Sequence, residues 1–170
     1  MARARLYVAQ SLDGYIADAD GGVGWLDRFH GAGTDYGYAD FLASVGALAM
    51  GRATYDQVRT FGDWPYHKPT FVFTRRPLPD PPPGVHATDA DPAAFLSEQQ
   101  DDVWLVGGAA LVRSFREAGA LGEIVLTVLP VLLGDGVPLF DGAQPPADLA
   151  LVSSETFPGG AVQLTYRLER

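Results

Sequence analysis

The chain has 170 residues, 47% of them apolar and 19% charged, with nine Phe, seven Tyr and three Trp, which is enough to build one domain core and too much for a disordered chain. Twelve basic against 21 acidic side chains give a net charge of −9, a field that repels phosphate backbones and anionic lipid, so neither nucleic acid nor membrane is expected as a partner. There are no cysteines, which excludes disulfides, thiolate metal sites and thiol nucleophiles and leaves any redox chemistry to a borrowed cofactor.

Arg3 and Arg5 precede an apolar run that Gln10, Ser11 and Asp13 interrupt too early for an export signal, and a cytoplasmic, soluble protein is expected. Residues 5–9 read as a first strand. The Gly- and Asp-rich stretch 11–33 after it has no consistent period, and a connection of that length in a compact domain is either disordered or functional. Tyr38, Phe41, Leu42 and Val45 recur at i, i+3, i+4 and i+7, which predicts a helix from about Asp35 with Thr34 as its cap. Residues 47–50 form a second apolar strand, which leads through Gly51, Arg52, Ala53 and Thr54 into a helical segment ending near Val58. A third strand follows at 70–73.

Pro77, Pro79, Pro81, Pro82 and Pro83 then read as a stiff surface connector, since each lacks an N–H and has a fixed φ. Asp91 before Pro92 has the pattern of an N-cap and first helical position, opening a helix through Gln99. A fourth strand at 103–106 ends in Gly107 and Gly108, and Leu111, Val112, Phe115 and Ala118 carry a helix that Gly119 stops. The fifth strand runs from about 123 to 129. Residues 149–157 and 161–169 flank Pro158, Gly159 and Gly160, and the alternation of Val162, Leu164, Tyr166 and Leu168 with polar neighbours predicts a half-exposed antiparallel hairpin. Apolar strands separated by helices imply a single α/β domain over 1–170. It has three layers: a mixed, mostly parallel sheet with helices on both faces, and an antiparallel C-terminal hairpin.

Three of the apolar strands end in special turns: Gly51 to Thr54, Thr74-Arg75-Arg76, and Gly107-Gly108-Ala109. In a parallel sheet these lie along one carboxyl edge, where open α/β sheets bind ligands. Two of them open helices, whose first N–H groups suit phosphate oxygens. Arg52, Arg75 and Arg76 are three of only 12 basic residues, and an anion is the simplest reason to gather them there. There is no G-x-G-x-x-G, Walker A or G-x-S-x-G sequence, so the ordinary dinucleotide fingerprint is missing. His30, His67 and His86 are widely spaced and read as exposed loop residues, with no metal site expected.

The stretches 11–17 (Ser-Leu-Asp-Gly-Tyr-Ile-Ala), 50–55 (Met-Gly-Arg-Ala-Thr-Tyr), 106–108 (Val-Gly-Gly) and 130–140 (Pro-Val-Leu-Leu-Gly-Asp-Gly-Val-Pro-Leu-Phe) resemble, in order and spacing, the dihydrofolate reductase-like superfamily. Within it, the likeness is to the group that includes the C-terminal reductase domain of bacterial riboflavin-biosynthesis enzymes. The resemblance implies an NADPH site and hydride transfer to a small pterin-like or aminopyrimidine-like substrate, as in a dihydrofolate reductase or a 5-amino-6-(5-phosphoribosylamino)uracil reductase. It places Gly51, Arg52 and Thr54 at the cofactor pyrophosphate and 2′-phosphate, with Thr74, Arg75 and Arg76 at the adenosine phosphate. Gly107, Gly108, Ala109 and Leu111 would lie under the pyrophosphate, and Ala9, Ile16 and Ala17 beside the nicotinamide. Clustered guanidinium groups favour the added dianion of NADPH over NADH.

Reduction also needs a proton, and a carboxyl in an apolar pocket can hold one. Asp35 is the candidate catalytic residue, its other reading being a helix cap. Asp13 contacts substrate or pins the loop, and Trp25 and Trp64 floor the substrate pocket or simply pack. Tyr15 stands where the riboflavin group commonly carries Lys, removing a phosphate contact. The resemblance further makes 11–33 a mobile cover over the site and 124–133 the surface of a possible homodimer. From another class, the chain would be a non-catalytic nucleotide-binding or structural relative, since fold does not fix function.

Overall fold

The computed structural model describes residues 1–31 and 33–169, leaving Ala32, within the expected cover, and Arg170 outside the described residues. Ten strands and four α-helices follow in the order β1 (Ala4–Ser11), β2 (Tyr15–Ala17), α1 (Tyr38–Ala43), β3 (Ala47–Gly51), α2 (Arg52–Arg59), β4 (Thr70–Phe73), β5 (Val85–Thr88), α3 (Pro92–Ser97), β6 (Val103–Gly107), α4 (Ala109–Glu117), β7 (Leu121–Leu129), β8 (Val137–Pro138), β9 (Leu149–Thr156) and β10 (Val162–Leu168). Eight strands make one sheet in the order β5-β4-β3-β6-β1-β7-β10-β9, and β2 pairs with β8 in a separate two-stranded ribbon. The sheet is parallel from β5 through β7, and β10 joins β7 antiparallel to start the terminal hairpin.

Burial on both faces follows from the alternation of side chains along each strand. Ala47 and Ala49 of β3, Val103 and Leu105 of β6 and Ile124 of β7 pack with Phe95 of α3 and Leu111, Val112 and Phe115 of α4. Their neighbours Leu48, Trp104 and Val125 pack on the other face with Phe41 of α1, and Met50 and Val72 pack with Tyr55 of α2 and Val85 of β5. Asp91 caps α3 by accepting from the Ala93 and Ala94 N–H groups, and Gly119 ends α4 at φ 63°, as the sequence predicts. Arg3 and Arg5 at the amino edge are held by Asp102 and Glu123. Among the described residues no helix is long and apolar enough to cross a membrane.

The structure corrects several expectations. The stretch 11–33 is not a featureless cover: it contains β2 and a 3-10 helix at Gly24–Phe29. β8 tethers the ribbon there, and a Cβ on Gly136 would stand 2.2 Å from the Ala17 carbonyl oxygen. α1 starts at Tyr38 rather than Asp35, because Tyr36 and Gly37 adopt φ of 55° and 75°, outside the right-handed helical region. Apart from these corrections, Ile124, Val125 and Leu129 within 124–133 are buried in the chain's own core and Leu132 is exposed. Leu149, Leu151 and Val152 on the edge strand β9 are exposed as well.

Candidate functional site

Because β4, β3 and β6 are adjacent and parallel, their carboxyl ends meet. Gly51 pairs with Phe73 and Met50 with Gly107, so the three turns expected to hold a dinucleotide share one rim. α2 and α4 both begin there, with Gly51 and Gly108 as N-caps, and among the described residues no side chain hydrogen-bonds to either helix start. Their first N–H groups are therefore without a side-chain partner among the described residues. Gly108 has φ 101°, and a Cβ on it would lie 3.4 Å from Thr54 Oγ1, 3.8 Å from Leu111 Cβ and 3.9 Å from Gly51 Cα. The two helix starts thus lie close together at Gly108, and Thr54 and Leu111 form its immediate surroundings. Ala109 is the first residue of α4 and is buried.

The three arginines of the rim differ. Arg52 Nε donates to both oxygens of Asp56 at 2.9 and 3.1 Å, and Nη1 to the Pro77 carbonyl at 3.2 Å, so Arg52 ties α2 to the proline-rich connector. Arg75 and Arg76 are exposed, and among the described residues neither makes an ion pair. Thr74 shapes their turn: its N–H donates to the Thr88 carbonyl, and its Oγ1 accepts from the Arg76 N–H at 3.1 Å.

One strand further along the sheet, a cavity of about 390 Å³ opens between β1 and β7. Tyr7, Ala9, Thr127 and Leu129 supply its floor, and Leu26, Phe29, His30, Gly31, Thr34, Asp35, Tyr36 and Tyr38 its walls. Ala9 is therefore in the cavity, Ile16 packs against the main core, and Ala17 is buried beside β8. Leu26 and Phe29 face the cavity together because they are one 3-10 turn apart, which turns Trp25 away. Trp25 does not line the cavity, and its Nε1 is buried with no hydrogen-bond partner among the described residues. Trp64 packs against Tyr55 and Tyr66 in the core. A second groove, with Arg28, Pro130, Pro158, Gly159 and Ala161, adjoins the cavity and shares Phe29 and Tyr36 with it.

Asp35 reaches the cavity wall, but its protonation runs opposite to the expected proton donor. Its carboxylate accepts from the Ala39 N–H at 3.1 Å and the Gly37 N–H at 2.9 Å, and these donors hold its pKa below the ordinary carboxylate value. It is ionised at neutral pH and holds the turn into α1. Burial, and secondarily the Asp35 charge, push the Tyr7 hydroxyl up to about 12, so Tyr7 stays a donor. His30, read from sequence as an exposed loop residue, lines the cavity with its side chain 72% exposed. Sequence reasoning missed Tyr7, Phe29, Tyr36, Tyr38 and Thr127 because they read as ordinary strand, loop and helix filling.

Asp13 lies outside the cavity lining. It accepts from Ser11 Oγ at 2.6 Å and from the Leu133 and Gly134 N–H groups at 3.1 and 2.8 Å, joining the loop after β1 to the loop after β7. The Ser11 hydroxyl, then these N–H groups, hold its pKa below the ordinary value. A carboxylate with a lowered native pKa stabilises the fold above the unfolded pKa of about 3.9, and the effect is lost as pH falls through the native value. Asp13→Asn is accordingly expected to lower the melting temperature at pH 7, with the gap to the parent closing below about pH 4. Thermal melts at pH 7 and pH 3 check this, and a gap of equal size at both would contradict the assignment.

The chain matches the model of the RibD C-terminal domain over residues 4–163. It is 41% identical over 169 residues to "Uncharacterized protein YwjB" of Bacillus subtilis (strain 168), covering 95% of both chains. Among solved structures it resembles "Putative riboflavin biosynthesis protein" from Shewanella sp. PV-4, with 32% identity, a TM-score of 0.86 and full coverage of both chains. Dihydrofolate reductase from Enterococcus faecalis, complexed with NADP(H) and RAB-propyl, shares the fold at 15% identity and a TM-score of 0.70, with 99% of this chain and 97% of that one covered.

Proposed function

The chain belongs to the RibD C-terminal domain family, and from that premise we propose that it is an NADPH-dependent reductase acting on a small pterin-like or aminopyrimidine-like ring. The observation that carries the reading is the close approach of two helix starts at Gly108, neither capped by a side chain among the described residues, on the same rim as exposed Arg75 and Arg76. Such a rim fits a dinucleotide: the glycine leaves space that a Cβ would narrow, the helix-start N–H groups suit a pyrophosphate, and the guanidinium pair suits a 2′-phosphate. The dihydrofolate reductase that shares the fold is itself complexed with NADP(H).

When bound, NADPH supplies the hydride. Gly51, Thr54, Gly107, Gly108, Ala109 and Leu111 would hold its pyrophosphate, while Thr74, Arg75 and Arg76, with Arg52 behind them, would hold its adenosine phosphate. Ala9, Ile16 and Ala17 would flank the nicotinamide. Tyr7 on the floor and Phe29, Tyr36 and Tyr38 on the walls offer flat aromatic faces to a heteroaromatic ring, and the ionised Asp35 would accept from N–H groups on that ring's edge. Asp35 carries no proton to give in this state. His30, on the cavity wall and open to solvent, is the lining group suited to relay one.

The ionised state of Asp35 also favours a second reading, a nucleotide-binding relative without turnover. Titrating the protein with NADPH and following nicotinamide absorbance with a panel of pterins and pyrimidinones separates the two. Oxidation with any member of the panel supports the reductase, and binding without oxidation across it supports the second reading. Absence of NADPH binding removes both.

A further inference from the structure

Resting on the reading of the cavity as the seat of the reducible ring, we infer that Gln163 and Tyr7 are positioning residues for it: two donors from separate strands that fix the Tyr36 carbonyl and thereby aim Asp35 and the Tyr36 ring at the cavity. Gln163 of β10 stands opposite Thr127 of β7. Its Nε2 donates to the Tyr36 carbonyl at 2.8 Å and to Thr127 Oγ1 at 2.9 Å, and the Tyr7 hydroxyl of β1 donates to the same carbonyl at 2.8 Å. β1 and β10 flank β7, so one backbone oxygen of the cavity wall is tied directly to two strands and, through Gln163, to Thr127 of the strand between them. Both amide hydrogens of Gln163 and both lone pairs of the carbonyl are used, leaving the set closed.

The clamp explains an otherwise unfavourable backbone. Tyr36 has φ 55°, a left-handed conformation that a bulky residue keeps only where its surroundings over-determine it. Further ties converge on it: its N–H donates to Thr34 Oγ1 at 3.1 Å, its hydroxyl to the Phe29 carbonyl at 3.0 Å, and its ring packs 5.1 Å from that of Phe157. The reversal at Tyr36 and Gly37 also brings the Gly37 and Ala39 N–H groups onto the Asp35 carboxylate. Releasing the carbonyl lets Tyr36 relax, and Asp35 then loses the two donors that orient its carboxylate and lower its pKa. Tyr36 and Phe29 form the partition between the cavity and the adjoining groove, so the same release shifts the wall against which a ring would stack.

The test compares Gln163→Leu, which keeps the bulk and removes the donor, with Tyr7→Phe, whose ring keeps its packing 4.7 Å from Phe41. Carbon-detected NMR titration of the Asp35 carboxyl and amide exchange at Gly37 and Ala39 are read alongside NADPH affinity and thermal melting. Each variant is expected to raise the Asp35 pKa toward the ordinary carboxylate value and to speed exchange at those two amides about tenfold. NADPH affinity is read on the parent, because Ala9 of the same cavity would flank the nicotinamide; in the variants, amide exchange in β3 and β6 is expected to stay within about twofold. An unchanged Asp35 titration, or faster exchange spread evenly across the sheet, overturns the inference. The NMR readout needs no cofactor, so a parent protein that fails to bind NADPH overturns the reductase reading and leaves the clamp still tested.

Discussion

Replacing Arg75 and Arg76 together with Ala is expected to raise the dissociation constant for NADPH roughly a hundredfold while changing that for NADH less than about threefold. The two cofactors differ only by the 2′-phosphate, a dianion that a pair of guanidinium groups recognises by charge-assisted hydrogen bonds. Each such contact is credited with about 1.4 kcal/mol, or tenfold, at an exposed site. Both side chains are exposed and make no ion pair among the described residues, so binding an anion breaks no existing partnership. Arg52 is different, because Asp56 and the Pro77 carbonyl already engage it. Arg52→Ala is therefore expected to weaken both cofactors modestly by loosening the connector, with less discrimination. Isothermal titration with each cofactor decides the matter. The NADPH preference should also shrink as ionic strength rises, and equal losses for the two cofactors would remove the 2′-phosphate from this turn.

The rim was legible in the sequence because its information is local. A buried strand followed by a glycine or an arginine turn announces itself within five or six residues, and β3, β4 and β6 lie within one residue of where the apolar runs place them. Position along the rim then follows from parallel pairing alone. The strands absent from the sequence reading are short: β5 buries only Val85, so it carries no apolar run, and β2 and β8 pair across more than a hundred residues.

The cavity was illegible for a related reason. Its floor comes from Tyr7 and Thr127, which read as strand residues, and its wall depends on Gln163, 127 positions from the Tyr36 it holds. That same contact explains the late start of α1, since no local propensity at Tyr36 calls for a left-handed turn. Asp35 shows the sequence offering two readings whose difference is electrostatic. Burial alone would raise its pKa, whereas the Gly37 and Ala39 N–H groups lower it, and only the fold reveals that the donors outweigh the burial.

Gly108→Ala should weaken NADPH and NADH alike, by about tenfold or more, and in this it contrasts with the arginine pair. Gly108 sits at φ 101°, where any side chain is strained, and its new Cβ would fill the space 3.4 Å from Thr54 Oγ1. Relief of that strain, of order 1–3 kcal/mol, requires the backbone at the start of α4 to turn, which shifts its first N–H groups relative to those of α2. The rest of α4 cannot follow, because Leu111, Val112 and Phe115 are locked in the core at 5%, 1% and 0% exposure, so the protein stays folded while its first turn distorts. Pyrophosphate is common to both cofactors and would be held by the two helix starts together, so misaligning them removes affinity without changing selectivity. Gly107→Ala provides the comparison: its φ is not left-handed and its Cβ would make ordinary contact at 3.8 Å with Thr54, so its stability should stay within about 0.5 kcal/mol of the parent. If titrations show Gly108→Ala binding both cofactors as well as Gly107→Ala does, the meeting of α2 and α4 is a packing contact and the phosphates lie elsewhere.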